Sequence, residues 1–157
     1  MKTNKHVIWD FVSKNQKRFQ ELADKVWSTP ETCYSEQNSM SAHVDELIYH
    51  GFSVTKGIAN IPTAVVGEYG TDGPIIAFLG EYDALAGLSQ KADVFHQDPV
   101  KKGENGHGCG HNLLGSASMQ AAVALKEWLK DSKLPGVVRY YGCPAEEGGA
   151  AKTFMVR

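Results

Sequence analysis

The run PIIAFLG at residues 74–80 carries no charged side chain, and it stops abruptly at the acidic stretch EYD, residues 81–83. An apolar run of this length is typical of a strand buried on both faces in the middle of a sheet. Open α/β sheets bind their ligands beyond the carboxyl ends of such strands. The run therefore predicts a central strand that carries Glu81 and Asp83 to a binding site.

A second strand with the same kind of ending follows later in the chain. Residues 112–130 predict a helix, because apolar side chains recur at helical spacing and small residues allow close packing on a sheet. The run VVRYYGC at 137–143 predicts a strand, and PAEEGG follows it at 144–149. A strand, a helix and a strand in this order form a right-handed crossover between parallel strands. We therefore expect both sets of acids at the same edge of the sheet.

The rest of the chain completes an α/β pattern. Two amphipathic helices and two strands are predicted at residues 4–28, 35–50, 52–55 and 63–69. The turn sequence GTDG at 70–73 predicts that the run at 74–80 returns antiparallel to the strand before it, as a hairpin. Residues 84–106 are expected to form a long loop. The predicted fold is α/β, with a mixed, mostly parallel sheet and helices on both faces.

Composition excludes several classes of partner. The 157 residues amount to about one domain, and the formal charge of −2 gives no basic field for nucleic acid or an anionic membrane. No apolar run approaches the roughly 20 residues needed to span a bilayer. Three cysteines make a disulfide framework improbable for a chain with no secretory signal. We predict a cytoplasmic protein without nucleic-acid or membrane partners.

The stretch GHGCGHNLLG at residues 106–115 predicts a metal centre. Cys109 and His111 lie two residues apart in a glycine-rich loop, and thiolate and imidazole are preferred ligands of zinc and neighbouring metals. Glu146 and Glu147 follow the last predicted strand, and Gly148-Gly149 is expected to turn the backbone so that both carboxylates reach one centre. One carboxylate could then bind metal while the other deprotonates water.

Three ordered motifs carry a family resemblance: EYDAL at 81–85, GHGCGHN at 106–112 and CPAEE at 143–147. They resemble the signatures of dinuclear-metal amidohydrolases related to aminoacylases and carboxypeptidase G, and the similarity covers essentially the whole chain. The nearest branch is the one associated with aminobenzoyl-glutamate. The resemblance implies metal-dependent hydrolysis of the amide bond of a small N-acyl or N-aroyl amino acid. It also implies two divalent ions in the complete enzyme, either zinc or manganese.

The resemblance assigns roles to five residues. Cys109 would be a thiolate ligand that bridges the two metals, with His111 and Glu147 as further metal ligands. Glu146 would be the general base. Asp83 matches the acidic residue at the end of the family's central strand, which orients the site, and we place it with Glu146 among the catalytic residues.

Other positions in the motifs resemble the family less directly. His107 matches a loop position that supports the ligands without binding metal. Asn112 stands where many relatives have Asp, and Glu81 and Ala86 replace a more usual Asp and Pro. These departures weaken the transfer of substrate detail.

Family members are much longer, with a lid domain that dimerises and further metal-binding histidines downstream. Residues 1–157 are therefore expected to be the N-terminal part of the catalytic domain, without the lid and the C-terminal part. The chain also stops in an apolar-containing stretch, residues 150–157, directly after a glycine pair. In its full-length form, the protein is expected to be a homo- or hetero-oligomer.

Two alternatives remain. The chain could be a truncated product that binds metal without turnover. It could instead be a hydrolase that uses Cys109 as nucleophile, with His111 or His107 as base. Nucleophile and base usually come from separate parts of a chain, and no helix start is predicted directly after the cysteine, which counts against this reading. Activity that resists chelators and is lost on alkylation would favour it.

Overall fold

A computed structural model describes residues 4–157, and its helices and strands follow the predicted order. The helices are α1 (Asn4–Trp27), α2 (Gln37–Tyr49), α3 (His111–Ser132) and α4 (Ala151–Met155). The strands are β1 (Ser53–Lys56), β2 (Val65–Tyr69), β3 (Ile75–Glu81) and β4 (Val137–Cys143), with a 3₁₀ turn at Ile58–Asn60. Each predicted helix and strand is present, with ends shifted by one or two residues. The sequence patterns did not predict α4 or the 3₁₀ turn.

The four strands form one mixed sheet in the order β1-β2-β4-β3. β3 and β4 pair in parallel, from Ile75 opposite Val137 to Glu81 opposite Cys143, so the predicted parallel pair is confirmed. β2 is antiparallel to both β1 and β4. The α/β class and the mixed sheet are confirmed, but one of the three pairings is parallel, a smaller share than predicted.

The predicted hairpin between the second strand and the run at 74–80 is wrong, because β4 lies between β2 and β3. The turn at 70–73 crosses the beginning of β4 instead. Gly70 and Gly73 both have positive φ, and a Cβ on either would come within 2.8 Å of the backbone of Gly136. The glycines thus allow the chain to pass over Gly136, a use that a turn motif alone does not distinguish from a hairpin.

The prediction that residues 74–80 form a central, doubly buried strand is also wrong within the described residues. β3 is an edge strand there, and Ile75, Ile76 and Leu79 are 55%, 44% and 50% exposed. An apolar run indicates that a strand suits apolar surroundings, but its position in the sheet depends on strands distant in the sequence.

The three long helices cover one face of the sheet. Their apolar side chains form the main core with Val138 and Tyr140 of β4, and that core includes Phe19 and Leu22 of α1, Leu47 of α2, and Met119 and Val123 of α3. On the other face, α4 lies beside Leu79 and Tyr141. The helical cover is therefore more one-sided than predicted. Among residues 4–157, no helix combines the length and apolar character needed to cross a membrane.

Gly115 allows α3 to approach the end of β3. A Cβ at this position would lie 2.3 Å from the carbonyl oxygen of Glu81 and 2.9 Å from Nε2 of His43. We expect Gly115→Ala to lower the free energy of unfolding by about 1–3 kcal/mol, because the added methyl group overpacks this contact. Urea denaturation measures the change, with Ser118→Ala on the same helix as the control. Stabilisation of up to ~1 kcal/mol, as helix propensity alone predicts, would contradict the packing argument.

His43 should make stability depend on pH. It is fully buried in α2, with its ring between those of Tyr82 and Tyr140. Burial lowers its pKa to about 4. As pH falls below about 6.5, the unfolded chain therefore binds a proton that the folded chain refuses until about pH 4. We expect this residue to cost about 3 kcal/mol of stability across that interval.

Denaturant unfolding between pH 4 and pH 7 measures the effect of His43. In His43→Phe, the loss of stability on acidification should become shallower by about one bound proton. His96→Ala, at an exposed loop histidine, is the control and should keep the wild-type slope. Equal slopes in all three proteins would show that His43 does not carry the acid sensitivity.

Candidate metal centre

The predicted site lies where the carboxyl ends of β3 and β4 meet the start of α3. Residues 82–110 contain no helix or extended strand, as expected for the long loop, and a bridge between Leu85 and Gly106 closes it. Each of these two residues donates its N–H to the carbonyl of the other at 3.0 Å. This closure brings residues 107–110 back to the acidic end of β3.

His111, the first residue of α3, stands at the centre of the site with a side chain that is 4% exposed. Its Nδ1 lies 3.0 Å from Oδ1 of Asp83. Its Nε2 faces three carboxylates: Oε2 of Glu81 at 3.0 Å, and Oε2 of Glu146 and Oε1 of Glu147, each at 3.7 Å. One ring nitrogen is thus fixed by a buried carboxylate, while the other points into an acidic cluster.

The three residues predicted to bind metal come together. Sγ of Cys109, a ring nitrogen of His111 and a carboxylate oxygen of Glu147 all lie within 4.8 Å of one another. Oε1 of Glu147 is buried and has no hydrogen-bond partner among the described residues. A thiol, an imidazole and a carboxylate with an unpaired buried oxygen are a donor set that fits a divalent ion such as zinc.

Glu81 joins a second cluster that the motifs did not predict. Its carboxylate, a ring nitrogen of His111 and a carboxylate oxygen of Glu146 also lie within 4.8 Å of one another. The other oxygen of Glu81 is paired with the ammonium group of Lys152 in α4. Its position as the last residue of an apolar strand was the available signal, but the family resemblance marks it only as a departure.

Asp83 lies behind His111 and is 1% exposed. Oδ2 accepts a hydrogen bond from the backbone N–H of Glu147 at 2.9 Å, while Oδ1 faces His111. Burial raises the pKa of this carboxyl, but the hydrogen bonds from His111 and from the Glu147 amide outweigh it, so the net pKa lies below the ordinary value. These contacts support a role for Asp83 in positioning His111 and Glu147 rather than in direct chemistry.

Acidic neighbours favour the protonated forms of the two non-carboxylate donors. The hydrogen bond to Asp83 raises the pKa of His111, and the charges of Glu81 and Glu147 add to the effect. The Glu147 carboxylate, followed by burial and the charges of Glu146 and Glu81, raises the pKa of Cys109. A metal that binds here would displace protons from both side chains, so affinity should increase with pH.

The same shift disfavours Cys109 as a nucleophile, because the reactive form is the thiolate. The sequence argument against that alternative was partly wrong, since α3 begins at His111, only two residues after the cysteine. The nearby carboxylates that raise the pKa of the thiol, rather than the absence of a helix start, are what count against an activated cysteine.

His107 lies on the side of the loop that faces α1. Its Nε2 is 3.1 Å from the carbonyl oxygen of Val26, and its Nδ1 is buried without a partner in the described part of the chain. Burial lowers its pKa, which favours the neutral imidazole. The backbone carbonyl of His107 accepts the N–H of Gly110, so the residue ties the metal-facing loop to α1. Its predicted supporting role is compatible with this place.

The turn that presents the two glutamates differs from the prediction. Neither Gly148 nor Gly149 has a positive φ, whereas Ala145 and Ala150 have φ values of 55° and 48°. Gly149 is required for a different reason, because a Cβ there would lie 2.4 Å from the ring of Tyr34. The backbone therefore bends at the alanines on either side of the predicted position.

Comparisons with known proteins agree with this geometry. No family model matches the chain. The chain is 50% identical over 150 residues to a subunit of the p-aminobenzoyl-glutamate hydrolase of Escherichia coli K12, and the match covers 96% of this chain and 31% of that protein. The chain thus spans about a third of the length of the curated relatives it matches.

Solved structures show the same fold. A Bacillus subtilis dinuclear metal-binding peptidase of the M20 family matches 92% of this chain and 39% of its own, with a TM-score of 0.73 and 23% identity. An aminobenzoyl-glutamate utilization protein from Klebsiella pneumoniae matches 95% of this chain and 42% of its own, with a TM-score of 0.66 and 16% identity. By sequence and fold, the chain belongs to the family of metal-dependent amidohydrolases and peptidases that includes p-aminobenzoyl-glutamate hydrolase.

Proposed function

We propose that the protein takes part in metal-dependent hydrolysis of the amide bond in an N-acyl or N-aroyl amino acid, with an aminobenzoyl-glutamate-like substrate. The observation that carries the proposal is the convergence of Cys109, His111 and Glu147 beside Glu146. The 50% identity to the Escherichia coli p-aminobenzoyl-glutamate hydrolase chain supports the substrate class. The donor set accepts either zinc or manganese.

Each site residue has a defined task in this proposal. Cys109, His111 and Glu147 would hold the ion, while Asp83 keeps Nδ1 of His111 protonated and so directs Nε2 toward the ion. When bound, a divalent ion supplies a Lewis acid and lowers the pKa of water. Glu146, whose side chain is 45% exposed, would take a proton from the attacking water and return it to the leaving amine.

We further propose that the complete protein binds two divalent ions and acts as a homo- or hetero-oligomer. The Bacillus subtilis neighbour is described as dinuclear, and the name of the Escherichia coli relative makes it one part of a larger assembly. In this proposal, residues 1–157 are the N-terminal part of the catalytic domain. The cysteines at 33, 109 and 143 are free, which supports a reducing, cytoplasmic setting.

A second candidate function is metal binding without turnover by the 157-residue chain. The observation that favours it is that the chain spans about a third of the length of its relatives. Metal analysis and an activity assay on the same preparation separate the candidates. The purified chain is loaded with zinc or manganese, its metal content is determined, and cleavage of p-aminobenzoyl-glutamate is followed by release of glutamate.

Three results are decisive in that experiment. Stoichiometric metal with glutamate release supports the hydrolase. Stoichiometric metal without release, beside a full-length relative that is active, selects the second candidate. Failure to bind either metal would reject both candidates for this chain.

A further inference from the structure

The acidic loop, residues 144–149, holds its two glutamates in an unusual arrangement. Successive side chains along an extended backbone point in opposite directions. Yet Oε2 of Glu146 and Oε1 of Glu147 lie at the same distance, 3.7 Å, from Nε2 of His111. The bend that permits this includes Ala145 at φ 55°, a left-handed conformation that is strained for a residue with a Cβ. Contacts from elsewhere must hold the loop in this shape.

Glu36 provides the first of these contacts. It lies immediately before α2 and is fully buried. Its Oε1 accepts hydrogen bonds from the backbone N–H groups of Ala145 and Tyr34, both at 2.9 Å. One carboxyl oxygen thus joins the turn before α2 to the strained residue of the acidic loop, which follows it by 109 positions in the sequence.

The environment of Glu36 is costly for a carboxyl group. Its second oxygen, Oε2, is buried without a hydrogen-bond partner among the described residues, and burial raises the pKa of the group. Burying an incompletely paired carboxyl opposes folding, so an apolar side chain of similar size would suit a purely structural position better. What the carboxyl contributes in return is the pair of amide hydrogen bonds that shape the loop.

Tyr34 and Asp83 hold the rest of the loop. The hydroxyl of Tyr34 donates a hydrogen bond to the carbonyl oxygen of Gly149 at 2.6 Å, and its ring occupies the space beside that glycine. Asp83 accepts the N–H of Glu147 at 2.9 Å. The loop is therefore fixed near its beginning by Glu36, in the middle by Asp83 and at its end by Tyr34.

We propose that Glu36 is a positioning residue that, together with Tyr34, fixes the acidic loop so that Glu146 and Glu147 face His111. Glu36 does not itself contact the donor cluster, and it acts through the backbone of Ala145. The consequence for metal binding rests on the proposed function, whereas the effect on the loop does not. The test therefore measures loop order and metal affinity separately.

The experiment compares Glu36→Ala and Glu36→Gln in the 157-residue chain. Amide hydrogen exchange at residues 145, 147 and 149 reports on the loop, and exchange in β4 and α3 reports on the rest of the fold. Cobalt(II) titration, followed by the thiolate charge-transfer absorption of Cys109, gives the metal dissociation constant. Ser39→Ala is the control, because Ser39 is equally buried nearby and its hydroxyl has no partner in the described part of the chain.

We expect Glu36→Ala to accelerate exchange in the loop while β4 and α3 keep their protection. The cobalt dissociation constant should rise about 10- to 100-fold, as for other residues that orient ligands. Glu36→Gln should restore both readouts, because its amide oxygen can accept the same two N–H groups. Tyr34→Phe removes one exposed hydroxyl, so it should fold even if Glu36→Ala does not, and it should accelerate exchange at Gly149.

Several outcomes would overturn the inference. Unchanged loop exchange in Glu36→Ala and Tyr34→Phe would show that these residues do not hold the loop. Uniform acceleration throughout β4 and α3 would assign Glu36 to general stability. Faster loop exchange with an unchanged cobalt dissociation constant would remove the positioning role. If the wild type gives no thiolate band with cobalt, the proposed metal function fails, and the exchange data alone decide whether Glu36 fixes the loop.

Discussion

Cys109→Ala is expected to reduce the affinity of the chain for zinc or cobalt by about 100-fold or more, because losing a direct ligand should cost at least as much as losing a residue that orients one. Cys109 is exposed and supplies the sulfur of the three-residue cluster. Without it, His111 and Glu147 would leave a site with two protein ligands. Metal content after gel filtration and competition titration with a chromophoric chelator measure the loss.

The other cysteines are matched controls for this prediction. Cys143 is buried at the end of β4, and burial raises its pKa to about 11, so it should remain a thiol that does not bind metal. Cys33 lies beside Asp83, with Sγ at 3.9 Å from Oδ2. Cys33→Ala and Cys143→Ala should keep the wild-type affinity. Retention of metal by Cys109→Ala, or its loss from Cys143→Ala, would place the metal elsewhere.

Substitution of the two adjacent glutamates should separate chemistry from metal binding. In a form of the protein that turns over, Glu146→Gln is expected to lower kcat by about 10²- to 10⁴-fold with the metal retained, because a general base contributes on this order. Glu147→Gln should instead weaken metal binding, because its buried Oε1 belongs to the ligand cluster. Both variants keep the size and hydrogen-bonding capacity of the side chain.

The measurements for this pair are kcat with an N-aroyl glutamate and metal content on the same samples. Loss of metal from Glu146→Gln and retention in Glu147→Gln would show that the two roles are exchanged. Equal loss of metal from both would favour the second cluster, with Glu81 and His111, as part of the same centre. Gln120→Glu, on an outlying part of α3, provides a control for a one-unit change of charge.

Much of the candidate site follows from local sequence patterns. A strand that ends in acids and a glycine-rich loop carrying Cys109 and His111 are features of short stretches. The order of strand, helix and strand is enough to bring the ends of β3 and β4 to one edge, because a crossover makes the two strands parallel. For this reason, the sequence alone predicted the stretches that converge.

Long-range contacts decided the details that the sequence patterns did not predict. Strand order depends on which distant backbone groups become hydrogen-bond partners, and the apolar run of β3 fits an edge position as well as a central one. The bend at Ala145 depends on Glu36, and the orientation of His111 depends on the buried carboxylate of Asp83. A local motif does not encode such partners.

The sequence by itself thus determined which elements form and which chemical groups assemble at the carboxyl end of the parallel pair, because periodicity and motif spacing are local properties. The tertiary structure decided the order of the strands, the face that the long helices cover, and the residues that hold the acidic loop. Those features depend on burial and on hydrogen bonds between residues far apart in the chain, which exist only once the whole fold has formed.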